Sequence, residues 1–514
     1  MAYRRPWTGV AAVFVAAALR APGRSTIGSE SMNEHTFETR SNPFDMEHEL
    51  MQQLGYRVVG AVIDYLRGVH ELPAVTWSEA GDQLRGLQTP FPDSPTDPAA
   101  TVEWALQQVL GNIMRLTHPR FFAYIPGPGN FVSALADFMT SGFNVFAGTT
   151  PHNLGAFEVE RATIDWLGSE FGWDFPSSGL FVSGGSAANF TALAIARHVH
   201  LQNDVEDAVV YCSTQTHSCI ERALFLLGFK ADQLRVIEAD ADFRLSASAV
   251  MDAIGADRAA GRRPFCLVGT GGTTNTGAID PLDELAEISE REGLWYHVDA
   301  AYGGGAVLSR QAKPLFRGAE RAHTIAVDPH KWLFQPFECA CILGRKQEWF
   351  RDAFRRLPAY MRDTDAEGDQ YNYRDMGLQV TRSFKAFKLW LSLHVYGVDT
   401  FRYAVDKGLA LARYAQRYVE SHDEWEVITP ASLGVLNCRY RKDVGDAPDV
   451  DRVNARIARQ VSQSGYAYIA TTELRGRTVL RFCPIHPGTN RQDIDETFSR
   501  LEQAAAWRDS STSP

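Results

Sequence analysis

The chain has 514 residues, 45% hydrophobic and 22% charged, which suits two or three globular parts with a sizeable core and excludes a disordered chain. Its formal net charge of -11, with no clustered run of Lys and Arg, excludes a nucleic-acid surface. Seven scattered cysteines, an odd number, argue against a disulfide framework and for a reducing, cytoplasmic setting.

The chain opens on "MAYRRPWTGVAAVFVAAALRAPGRS", in which two arginines precede an apolar run of roughly ten residues, too short to span a bilayer. No membrane partner is expected. Residues 1–31 read either as a targeting segment, basic and free of acids until Glu30, or as a non-native extension ahead of Met32. Over residues 45–70, Leu50, Leu54, Val58, Val62, Tyr65, Leu66 and Val69 recur at helical spacing, which predicts an amphipathic helix packed on a core or a partner. "TPFPDSPTDPAA" cannot be a helix interior and reads as a linker or wrapping arm. "LTHPRFFAYIPGPGNF" then mixes aromatics with glycine and proline, and residues 32–128 together read as a helical N-terminal segment.

From 179 to 344 short apolar runs alternate with helical patterns. "GLFVSGG" predicts a strand running into a turn, with a helix over 187–198; "AVVYCS", "RVIEA", "PFCLVGT", "LWYHVDA" and "TIAVD" predict further strands. This alternation predicts an α/β fold with a mostly parallel sheet, whose ligands sit at the carboxyl ends of the strands. In "FECACILG", Cys339 and Cys341 alternate as on a buried strand, and no partner pair lies at zinc spacing, so no metal is expected. Asn189-Phe190-Thr191 matches a glycosylation acceptor but falls inside the turn-to-helix segment. The large domain is placed at 129–389. Residues 390–514, with "WEVITPASLGVLNCRYR" and "TVLRFCPI" between helical stretches, read as a smaller α+β domain.

Four predicted strand ends carry polar groups. "SGGSAANFTALAIAR" offers a tight turn and a helix N-terminus, whose unpaired N–H groups suit a phosphate, although neither nucleotide fingerprint is present. His217 follows a strand in "YCSTQTHSCIERA", where a structural role is the ordinary alternative. Asp299 ends the apolar strand of "YHVDAAYGGG" and needs a cationic or donating partner. Lys331 follows His330 in "VDPHKWLFQP". Either its stem packs and the ammonium reaches water, or burial lowers its pKa and leaves a neutral amine for a Schiff base. Together the four suit pyridoxal 5′-phosphate, which needs an anion cradle, a lysine, and a carboxylate facing a ring that acts as electron sink; the flat face of His217 can stack on it.

In order along the chain, "HPRFFAYIPGP", "THSCIERA", "HVDAAYGG" and "DPHKW" resemble the group II pyridoxal-phosphate decarboxylases, the family of aromatic-L-amino-acid, histidine and glutamate decarboxylases, and most of all its aromatic branch. The resemblance runs from about residue 45 to the end and implies the aspartate-aminotransferase-like fold type I in a homodimer with interface active sites. It implies that Lys331 holds the cofactor, His217 stacks on it, Asp299 meets the ring nitrogen and Ala301 lies against the ring. Thr274 of "GGTTNTG" and His330 would lie at the cofactor, with Ser186, Ala187 and Ala188 forming the phosphate turn.

The cofactor alone permits several reactions. Tyr360 of "AFRRLPAYM" matches the family's mobile-loop tyrosine, which returns a proton to the substrate Cα after CO2 leaves. Relatives that make aldehydes tend to carry phenylalanine there or to replace the stacking histidine, and this chain keeps both Tyr360 and His217. The resemblance therefore implies decarboxylation of an L-amino acid, aromatic by the pocket residues His118, Tyr124 and Pro126, to an amine and CO2. Aldehyde synthesis, or a glutamate-like or branched-chain substrate, is the alternative. Two departures stand out. Gly127 replaces the threonine of animal enzymes, which is expected to loosen the pocket, and Asp328 replaces a usual asparagine. An acidic substrate would call for a pocket arginine, for which Arg120 and Arg382 are candidates.

Overall fold

The computed structural model describes residues 42, 44–76, 85–88, 90–150, 152–356, 371–441 and 447–506. Tyr360 lies outside the described residues. Two compact units result: residues up to Leu72 with Thr76–Met114, and Pro73–Val75 with everything from Arg115 onward.

The first unit contains the expected helix, His48–Gly68, closed by the 3-10 turn Val69–Glu71. The proline-rich stretch is not wholly linker, because it runs into a second helix, Pro98–Gln108. Asp97 caps that helix by accepting from Ala100 N at 2.7 Å, and Pro98 sits in its first turn, where a missing N–H costs nothing. Arg57 grips Glu103 with two bonds of 2.8 Å, tying the two helices together. Neither helix has a buried residue.

The second unit is built on a seven-stranded sheet. Its strands are β1 (Ser178–Val182), β2 (Ala208–Ser213), β3 (Leu234–Ile237), β4 (Arg263–Thr270), β5 (Trp295–Asp299), β6 (Thr324–Val327) and β7 (Ala340–Gly344), in the spatial order β1-β7-β6-β5-β4-β2-β3. All neighbours are parallel except β7, which runs antiparallel to both β1 and β6. Every residue of β1, β2, β5, β6 and β7 is buried, as expected of strands covered by helices on both faces. That covering is why the sequence shows them as continuous apolar runs. Cys341 lies in β7 and Cys339 just before it, and both are fully buried.

A second sheet is antiparallel, with β8 (Trp425–Ser432), β9 (Val435–Tyr440), β10 (Ala470–Leu474) and β11 (Arg477–Phe482) in the order β10-β11-β9-β8. The helices Val398–Glu420, Ala447–Gln463 and Arg491–Ala506 accompany it. The aromatic segment before residue 128 belongs to this region. Phe122 N donates to Tyr468 O at 2.9 Å, Tyr468 N to Arg120 O at 3.0 Å, and Cys483 N to Phe122 O at 3.0 Å. These bonds accord with the place of residues from Arg115 onward in the second unit.

The small sheet also props the loop that follows β4. Asn437 Nδ2 donates to Asn275 O at 3.0 Å, Ser432 Oγ to Gly277 O at 2.8 Å, and Arg481 Nε to Thr274 O at 2.7 Å. Next to Lys331, Trp332 is fully buried and stacks on Tyr302 with centroids 5.4 Å apart. Gly408 and Gly434 press on its indole, since a Cβ on either would lie 3.4 or 3.3 Å from the ring. Burying so large a side chain stabilises this junction by roughly 3 kcal/mol.

Candidate active site

Because β1, β2, β4, β5 and β6 share one sense, their carboxyl ends meet along one edge of the sheet, where such folds place ligands. There the structure encloses a cavity of about 260 Å³ whose wall includes Ser186, His217, Thr274, Asp299, Ala301, His330 and Lys331. Residues spread over more than a hundred positions thus converge through topology alone.

Asp299, at the end of β5, is 5% exposed, and its Oδ1 accepts from Ala301 N at 3.1 Å. Burial pushes this carboxyl up, the Ala301 amide and the Lys331 ammonium pull it back, and Asp328 adds to the push; the net direction is upward. His217 stands at the mouth, exposed, with Nδ1 accepting from Cys219 N at 3.2 Å, which leaves the proton of the neutral ring on Nε2. His330 is fixed in the same way by Cys339 N at 3.2 Å, and burial lowers its pKa.

Lys331 is paired with a carboxylate. Lys331 Nζ lies 2.9 Å from Asp328 Oδ2. Burial would lower the ammonium, but Asp328 outweighs it with Asp299 behind, and the pKa stands above its ordinary value. The 26% of the lysine side chain that is exposed is consistent with its lining the cavity.

The phosphate turn also differs in detail. The helix Gly185–Leu201 begins two residues before the expected start at 187, and Ala187 N and Ala188 N both donate to Gly184 O, at 2.9 and 3.0 Å. Ala188 is buried in the core and Ala187 faces a neighbouring apolar pocket. Gly185 and Ser186 line the cavity instead, with first-turn amides that have no intrahelical acceptor.

His118, Tyr124 and Pro126 do not line this cavity. His118 is fully buried, with Nδ1 accepting from Arg120 N at 2.9 Å. Tyr124 is exposed at φ 50, a left-handed backbone held by Arg481 Nη1 donating to its carbonyl at 2.6 Å. Nor does Gly127 loosen anything: a Cβ there would stand 1.9 Å from His330 O, so the glycine lets its segment lie against the lysine loop. Arg382 is spent on buried Glu160 at 2.6 Å, and Arg120 on Asp493 at 3.4 Å and Tyr466 O at 2.8 Å. Both arginines are structural.

Sequence reading gave no site role to Arg481, Asn189 or Thr270, and noted Asp328 only as a departure from a motif. Arg481 is 4% exposed, with Nη2 unpartnered and no carboxylate pairing with it among the described residues. Asn189 lines the cavity and links its helix to β5, accepting from His297 Nε2 at 2.7 Å while its Nδ2 meets Cys219 Sγ at 3.2 Å. Asp328 and Thr270 bring buried oxygens, Oδ1 and Oγ1, that have no partner. A polar residue at a strand end, or within an apolar helix face, was the available signal for Asp328, Thr270 and Asn189, whereas Arg481 had none.

The site passes a test for pyridoxal phosphate on its own terms. Free amides at a helix N-terminus, a buried carboxylate with one oriented oxygen, a lysine and unsatisfied polar atoms all face one enclosed space. Comparison with known proteins agrees. The aromatic-L-amino-acid decarboxylase of Bacillus atrophaeus is 39% identical over 90% of this chain and 97% of its own length. A phenylacetaldehyde synthase of Arabidopsis thaliana is 26% identical over 90% and 97%. The crystal structure of Oryza sativa TDC with PLP and tryptamine superposes with a TM-score of 0.85 at 25% identity, covering 91% of this chain and 99% of that one. Residues 81–441 match the family described as the pyridoxal-dependent decarboxylase conserved domain. The chain belongs to the pyridoxal-dependent decarboxylase family and is an amino-acid decarboxylase of fold type I that uses pyridoxal phosphate.

Proposed function

We propose that this enzyme decarboxylates aromatic L-amino acids to the amine and CO2, working as a cytoplasmic homodimer. The observation that carries the substrate class is the alignment, over 90% of the chain, with a relative named for aromatic L-amino acids. The charge pattern supports it: Arg120 and Arg382, the two arginines that could recognise an acidic side chain, are engaged by Asp493 and Glu160.

When bound, pyridoxal phosphate supplies an electron sink for the pair left on Cα as CO2 departs. In this reading Lys331 attaches the cofactor, the amides of Gly185 and Ser186 hold its phosphate, and Asp299, oriented by Ala301 N, keeps a proton on its ring nitrogen. His217 closes the mouth, and Thr274, Ala301 and His330 complete the wall. Arg481, whose Nε donates to the carbonyl of the cavity-lining Thr274 and whose Nη2 has no partner, would suit the substrate carboxylate. Tyr360 would deliver the proton to Cα.

Dimerisation is supported by the two N-terminal helices, which bury nothing within one chain although the first is amphipathic, and by exposed apolar residues such as Tyr56 and Phe91. All seven cysteines are free, and among the described residues no helix is long and apolar enough to cross a membrane.

The test is a panel of tryptophan, tyrosine, dihydroxyphenylalanine, phenylalanine, histidine and glutamate with the holoenzyme, following amine, CO2 and peroxide. Equal amine and CO2 from an aromatic substrate is the expected result. Turnover confined to glutamate or histidine would overturn the substrate class, and aldehyde with peroxide would overturn the product.

A further inference from the structure

Asp328 puts a second carboxylate beside the lysine, at a place where Asp299 already supplies one. It is 3% exposed; Oδ2 contacts Lys331 Nζ at 2.9 Å, His330 Nε2 lies at 3.5 Å, and Oδ1 has no partner. Gly185 leaves room for it, because a Cβ there would stand 2.8 Å from Oδ2. A side chain at that position would displace the carboxylate from Lys331.

An anion in buried contact with an ammonium stabilises the protonated form. Condensation with an aldehyde needs the other form. The lone pair of a neutral amine attacks the carbonyl carbon, and two N–H hydrogens leave with the carbonyl oxygen as one water, without oxidation or reduction. Starting from the ammonium, one further proton must first go to solvent.

We propose that Asp328 is a latch on cofactor loading: in the cofactor-free chain it holds Lys331 as an ammonium, so covalent capture of pyridoxal phosphate waits on loss of that proton. The inference rests on the reading of Lys331 as the cofactor lysine.

Other groups face Lys331, and none substitutes for Asp328. Asp299 on β5 acts in the same direction, but it ranks behind Asp328 and its Oδ1 accepts from Ala301 N. Cys219 has its thiol pushed up to about 12 by burial and brings no charge near neutrality. His330 is kept neutral by burial, and His217 stands at the mouth.

The experiment mixes cofactor-free protein with pyridoxal phosphate in a stopped-flow instrument across neutral to alkaline pH and follows the absorbance of the covalently bound cofactor. Pyridoxamine phosphate, which has no aldehyde, reports association without condensation. In the wild type the ratio of the two rates should rise with pH. In Asp328→Asn its inflection should move to lower pH, giving about a tenfold faster capture at neutral pH for each unit moved. Asp328→Ser serves if the asparagine variant does not fold. An unmoved inflection in a folded variant, or a wild-type ratio independent of pH, overturns the latch. A covalent band of wild-type intensity in Lys331→Ala would instead overturn the reading of Lys331 on which the latch depends.

Discussion

Gly127 lies so close to His330 that a Cβ on it would stand 1.9 Å from the His330 carbonyl oxygen, on backbone that leads directly into Lys331. Gly127→Ala should therefore push the two segments apart, at about 1–3 kcal/mol of stability as in other overpacked sites. Cofactor retention on dialysis should fall with it. Gly129→Ala, where the nearest contact is Pro336 Cβ at 3.1 Å, should be milder; equal retention in wild type and Gly127→Ala would refute the packing argument.

Arg481 is buried with no carboxylate pairing with it among the described residues, and burial lowers its pKa, so its charge is maintained at a cost that a ligand anion would repay. Losing one charge-assisted bond of roughly 1.5–3 kcal/mol predicts that Arg481→Met raises KM by about tenfold or more. Arg481→Lys should recover part of this. Steady-state kinetics with saturating cofactor would show it, and a kcat loss with unchanged KM would argue against carboxylate binding.

Tyr360→Phe should divert product from amine to aldehyde, because the proton donor to Cα is removed while the rest of the site remains. Amine and aldehyde quantified from the same reaction decide this. An unchanged amine yield would remove Tyr360 from the role.

His297 is wholly buried, and burial lowers its pKa to about 4. The unfolded chain binds the proton more readily than the folded one, so its contribution is complete above the unfolded value of about 6.5 and is lost as pH falls toward 4, by up to about 1.4 kcal/mol per pH unit. Asp280 works in the opposite sense, since burial raises it to about 6. Comparing wild type with His297→Gln isolates the histidine: the gap in Tm should narrow as pH is lowered from 7 to 5, and a constant gap would show that His297 does not titrate on unfolding.

Much of the fold could be read in advance because each buried parallel strand leaves a solid apolar run in the sequence. β2 and β5 are cases where "AVVYCS" and "WYHVD" are buried at every position. β10, Ala470–Leu474, went unread because it is half exposed and rich in threonine. Among site residues, Lys331, Asp299 and His217 were legible as polar groups at the ends of such runs. Asp328 was seen only as a departure from a motif, because its effect on Lys331 depends on a turn that closes over three residues. Arg481 was invisible in "TVLRF", where nothing local says that the guanidinium passes behind Thr274 and Tyr124.

Trp332 holds the backbone beside Lys331 from several sides, stacked on Tyr302 and pressed by Gly408 and Gly434. The backbone that carries the lysine is thereby tightly packed, and the side chain has its own torsion angles with which to reach its partners. Its working range is a cone, with Asp328 at one edge and the open cavity at the other. Exchange between bound states then becomes a matter of torsion angles, on the timescale of a rotamer change.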